Sequence, residues 1–207
     1  MKKVFVLILL SGLALISWSQ QSAKEGKMPV TTASGTARGL YTEALKWFDK
    51  VDLNHGRDQL IKALDEDRDF FMANYQMALY YSWTDNFEKF SEYAKNAVNC
   101  KAGLSQAEEL LRSAINKLRT NPQTDVTETG KKLVDMYPGD INAYNNLIYF
   151  QSFINDTEGQ LVTLNQALKV DQNQPSLYNQ LGYVYMQLKQ NEKAETAFDK
   201  YIELDPK

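Results

Sequence analysis

Side chains able to do covalent or metal chemistry are scarce in this chain. It holds one histidine, His55, and one cysteine, Cys100. An ordinary zinc site needs four ligands drawn mainly from Cys, His and carboxylates, and a Cys–His nucleophile pair needs a third group to orient its base. His55 stands in the run Asn54-His55-Gly56-Arg57, a turn pattern, and reads as a solvated turn residue. Cys100 alone permits no internal disulfide. The carboxylates Asp65-Glu66-Asp67 gather before Arg68 at the end of a helical pattern, which makes them a solvated charge cluster. No glycine-rich loop of the phosphate-cradling kind occurs. The expectation is a protein with no catalytic residues, no metal and no cofactor, and hence not an enzyme.

What the chain has in quantity is rings and helical pattern. Of 207 residues, 43% are hydrophobic and 12% aromatic, with 12 tyrosines among them. The elements that position those rings are clearest over residues 175–207. Leu177, Tyr178, Leu181, Gly182, Val184, Tyr185 and Leu188 recur at three- and four-residue steps and make one apolar stripe on a helix. Pro175 suits a first turn, where its missing N–H has no partner to lose. Lys189 and Gln190 interrupt the stripe, and Asn191 is the expected N-cap of a second helix. There Ala194, Ala197, Phe198, Tyr201, Ile202 and Leu204 rebuild the stripe until Pro206 stops it. Gly182 and Ala194 are small enough to let the two backbones approach.

This hairpin resembles the tetratricopeptide repeat, a helix–turn–helix unit of about 34 residues. Tyr178 is the family's first large aromatic, Leu181-Gly182 its Leu-Gly pair, and Tyr185 the tyrosine that follows. Ala194 is its small residue on the second helix, Phe198 the aromatic and Pro206 the closing proline. Tyr201 departs from the pattern, standing where alanine is usual. The same spacing places five repeats near 37–70, 71–104, 107–140, 141–174 and 175–207. In repeat two Phe90 replaces the small residue of the second helix, so a splayed hairpin is expected there, and Cys100 falls where an aliphatic is usual. Repeat three is the least regular. A two-residue slip precedes it, and Lys117 and Gly130 stand where bulk is expected, although Ser105 and Glu108 form a capping box. Thr157 and Gln160 make a second such box in repeat four. The resemblance implies an all-α fold, a right-handed superhelical solenoid in which each hairpin covers its neighbours' apolar faces and leaves a concave side free.

In that family the concave wall comes from the first helix of each repeat. Carried onto this chain, the wall offers Tyr41 and Phe48, Tyr75 and Trp83, Asn145 and Tyr149, Asn179 and Tyr183. Rings supply area at small entropic cost, and amides pair with peptide N–H and C=O groups, so a protein or an extended peptide is the implied partner. The lysines and arginines that family members use to hold a carboxylate tail are missing from the corresponding positions.

Residues 1–19 carry a different signal. Lys2-Lys3 precedes an apolar run over 4–16, then the small residues Ser17 and Ser19, which is the layout of a cleaved signal peptide. Residues 20–36 are small, polar and aperiodic and are expected to be a disordered linker. The whole chain has a net charge of −3. Loss of a lysine-bearing leader makes it more acidic, which argues against a nucleic-acid surface. The reading is an exported protein, periplasmic or secreted, not inserted in the membrane after cleavage, that acts as a non-catalytic adaptor. Its rival is a structural or assembly role for a self-stacking or larger envelope protein, using the uncapped face around Tyr201, Ile202 and Leu204.

Overall fold

The computed structural model describes residues 26–206. The expected leader over 1–19 lies outside them, as do 20–25. Among the described residues there are ten α-helices and no strand. They run α1 (Gly35–Asp49), α2 (Leu53–Glu66), α3 (Phe71–Trp83), α4 (Phe87–Val98), α5 (Gln106–Thr120), α6 (Thr127–Met136), α7 (Ile141–Phe153), α8 (Thr157–Val170), α9 (Pro175–Gln187) and α10 (Asn191–Leu204). Each repeat contributes one pair.

Local chemistry sets the joints. Ser34, Asp52, Asn86, Asp140 and Asp156 each accept an N–H of the following first turn, satisfying donors that a helix leaves open. The Ser105–Glu108 capping box forms at α5. Two expected caps do not. Asn191 is already helical, behind Gln190, which makes no side-chain cap bond. Asp156, one residue earlier than Thr157, caps α8, while Thr157 turns its hydroxyl to Gln187. Four of the five hairpins turn through one left-handed residue, at Val51, Asp85, Asn155 and Lys189, with φ between 54° and 59°. Aspartate and asparagine accept that conformation readily; a β-branched valine does so at a cost.

The hairpins α1/α2, α3/α4, α7/α8 and α9/α10 pack along their length. In the last, Gly182 lies so close to the Phe198 ring that an added Cβ would come within 2.5 Å of Cε1, and Gly56 does the same against Phe48 in the first. Repeat two is not splayed. Phe90 is buried and reaches past α3 to Phe153, centroids 6.3 Å apart, while Tyr81 and Tyr93 stack at 5.4 Å. Repeat three is open. Helices α5 and α6 barely touch; α5 lies on α4 through a stripe that includes Leu111, Ala114, Ile115 and Leu118, and α6 lies on α7. Gly130 is the reason α6 comes so near, because an added Cβ would meet Leu147 Cα at 2.7 Å. Bulk is absent there because backbone fills the place. Lys117 is exposed.

Two expectations are corrected at the level of the whole molecule. The first concerns the linker over 20–36, whose described part is held in place rather than disordered. Met28 is buried, and its N–H donates to Asp140 at 2.7 Å. Thr31 donates its N–H and its hydroxyl to the two oxygens of buried Glu108, both at 2.7 Å, and Thr32 donates to Asp67. Backbone donors met by buried carboxylates tie an otherwise featureless segment across α2, α5 and the α6–α7 turn. The second concerns the free concave side. Helices α3 and α7 are buried almost all round, covered by protein on nearly every side. They face each other: Tyr75 donates to Asn146 at 2.5 Å and Tyr149 shares a 2.7 Å hydrogen bond with Ser82. The array curls until α1 touches α9, so the hairpins do not bury surface only against chain neighbours.

Candidate functional site

Curling converts the expected open groove into a partly enclosed cavity of about 880 Å³ between α1, α3, α7 and α9. Its size falls in the range of ligand pockets, roughly 300–1,000 Å³. One lip is the N-terminal segment, through Lys27, Met28 and Val30.

Seven of the eight expected groove residues line it. Trp83 and Tyr183 are the open ones, 48% and 56% exposed. Trp83 sits edge-on between Phe48, at 6.5 Å, and Tyr149, at 6.0 Å, so an aromatic cluster joins the two halves of the array. Tyr183 stands edge-on to Phe198 at 5.3 Å. Tyr41 and Tyr149 line the wall from buried positions. Burial, with the Asp140 and Glu108 carboxylates adding to it, pushes the Tyr41 hydroxyl above its ordinary range; burial does the same to Tyr149, against the Ser82 hydrogen bond. Both therefore serve as neutral phenols, with no route to a phenolate at neutral pH. Tyr75 is the exception. Its ring is fully buried and stacked on Phe71, and its hydroxyl is held by Asn146, so it spaces α3 from α7 and does not line this cavity.

Asn145 and Asn179 line the cavity, and among the described residues neither makes a side-chain hydrogen bond; the Asn145 Oδ1 is buried without a partner. Two carboxamides in the same state, Gln76 on α3 and Gln180 on α9, went unread in the sequence. Each lies one residue beyond an expected wall position, Tyr75 or Asn179. Closure turns a wider arc of each first helix inward than an open solenoid does. These half-buried amides have no protein partner and stay free to pair with a ligand, so three helices here present donors and acceptors to one. Lys46 answers Glu43 at 3.1 Å and Lys27 approaches Asp140 at 3.8 Å, which leaves a wall with rings and amides and few free charges.

His55 is exposed, stacked on Trp47 at 4.9 Å and bonded to its cap residue Asp52 at 2.7 Å. Cys100 is buried, its thiol directed at the Asp69 carbonyl, and burial raises its pKa. Among the described residues no helix is long and apolar enough to cross a membrane.

Fold and wall together define the class: an all-α helical-repeat protein whose inner helices enclose a binding-sized cavity. Residues 175–207 match the tetratricopeptide repeat family model, and the ten-helix fold is that of a tetratricopeptide-repeat protein. No curated protein matches the chain. Among solved structures, TTC0263, a thermophilic TPR protein of Thermus thermophilus, is similar over 83% of this chain and 92% of its own, at 14% identity and a TM-score of 0.52. PilW, a type IV pilus biogenesis factor, is 19% identical over 83% of this chain and 79% of its own, with a TM-score of 0.47. MamA from Desulfovibrio magneticus RS-1 is 13% identical over 84% and 97%, with a TM-score of 0.44.

Proposed function

We propose that this is an exported, non-catalytic interaction protein that holds a short peptide segment of a partner protein in the cavity of its inner helices. The observation that carries the reading is the convergence of Gln76, Asn145, Asn179 and Gln180, free of protein partners, beside the exposed rings of Trp83 and Tyr183. Carboxamides match the alternating N–H and C=O groups of a peptide backbone, and rings take up its side chains. A volume of about 880 Å³ fits a short segment better than a long strand laid along an open groove.

The test is panning of a random peptide display library on the purified protein, followed by affinity measurement on the double variant Trp83→Ala, Tyr183→Ala. Affinity is expected to drop about thirtyfold or more, the loss typical of central aromatic anchors, with helical content unchanged. Undiminished affinity in that variant rules the cavity out. Export is tested separately by N-terminal sequencing of protein from the cell envelope, where a start at Gln20 is expected.

Exposure of Val162 (59%) and Ile202 (57%) on the outer helices of the last two hairpins favours a second reading, assembly with further copies or with a larger envelope protein. A monomer in sedimentation at high concentration would remove self-assembly.

A further inference from the structure

One joint in the ring of hairpins differs from the rest. Buried apolar side chains form two clusters, one reaching from Met28 to Phe150 and the other from Tyr144 to Ala197, and both draw on α7. Hairpins four and five are thus joined by continuous apolar packing. The first and last hairpins meet through polar groups instead. The Ser176 hydroxyl donates to Asp49 Oδ1 at 2.8 Å, the Ser176 N–H reaches the same oxygen at 3.4 Å, and Tyr201 Oη donates to the Lys50 carbonyl at 3.4 Å. Asp49 thereby caps a helix from the far end of the chain, since Gln174 at the start of α9 makes no side-chain cap bond.

The joint works against itself electrostatically. Burial raises the Asp49 carboxyl above its ordinary value; the Ser176 bonds pull it back, and the carboxylates of Asp171 and Asp205 push it up again. The cations around it are engaged elsewhere: Lys46 with Glu43, Lys50 over the Trp47 ring, Lys27 with Gly139 and Asp140. Behind the joint lies the cavity, lined by Asp49 from one side and Ser176 from the other. A contact that is thin, polar and charged, where the other neighbouring hairpins meet through apolar surface, is a place of low local stability.

We infer that the α1–α9 seam is the gate of the cavity: the fifth hairpin swings on its apolar joint with the fourth, Ser176 parts from Asp49, and the wall opens to a ligand segment. What passes through rests on the peptide-binding reading above; the motion itself does not. Closing buries Asp49 and raises its pKa, so the closed form binds a proton more tightly. Closure is therefore favoured below the ordinary carboxyl pKa and weakened as pH rises through the raised value.

The experiment is ligand-free. Spin labels on cysteines at the exposed positions Lys50 and Asn173, with Cys100→Ser, report the width of the seam by pulsed dipolar spectroscopy. Two distances are expected in the otherwise unaltered protein. Ser176→Ala should enlarge the longer one about tenfold or more, the effect of losing one hydrogen bond to a charged acceptor. Asp49→Asn, which keeps an acceptor and removes the charge, and lowering the pH should both shrink it. Opposite responses of these two variants separate a gate from a merely stabilising contact, which either substitution would weaken. One distance, unchanged by both variants and by pH, overturns the inference. Loss of peptide capture with the distances behaving as stated would sink the binding reading alone.

Discussion

Val51 occupies the left-handed turn position with φ 58°, a conformation that costs a β-branched residue roughly 1 kcal/mol or more. Val51→Gly is expected to stabilise the protein by up to about 1 kcal/mol in urea unfolding, because strain relief exceeds the added chain entropy. Two native glycines should respond with opposite signs. Gly39 is exposed on α1 with nothing within 4 Å of an added Cβ, so Gly39→Ala gains up to about 1 kcal/mol of helix propensity. Gly130→Ala drives a methyl into the Leu147 backbone and should lose about 1–3 kcal/mol from overpacking. The sequence marked Gly130 as a gap in a repeat pattern. That it is a point of contact depends on where α7 lies, which no local spacing records.

At the scale of elements, hairpin positions were legible because apolar stripes repeat at helical steps and a closing proline, as at Pro206, marks the boundary. Repeat three was legible only as irregular. Its two helices separate because α5 carries its own complete stripe, Leu111 to Leu118, that fits α4, while α6 is short and finds its closest approach at α7. Gly130→Ala should therefore loosen α6 from α7 without loosening α5 from α4. Amide exchange would show it as faster exchange in 127–136 against unchanged protection in 106–120. Equal loss in both helices would mean that α5 and α6 behave as one hairpin after all.

For the whole molecule, the described N-terminal segment is the feature with most leverage. Glu108 accepts from Ser105 N–H and from both donors of Thr31, so one carboxylate starts α5 and anchors a segment 77 residues away in sequence. Glu108→Ala should cost about 1–3 kcal/mol by leaving the part-buried donors of Thr31 and Ser105 without their acceptor. It should also release residues 28–32 and the start of α5 together in hydrogen exchange. Release of only one of the two would show that they are not coupled through this side chain.

Pattern alone determined the helical hairpins, their number, the inner and outer helix of each, and most of the ring-bearing positions on the inner ones. These follow from short-range spacing, which packing of neighbours preserves. Closure was decided by tertiary structure: that Tyr75 would be a spacer rather than a wall residue, that Gln76 and Gln180 would face inward, that Asp49 would meet Ser176 across 127 residues. The reason is that the summed curvature of five hairpins depends on small angles at every interface, one of them broken at α5–α6, and such angles leave no periodic trace in the chain.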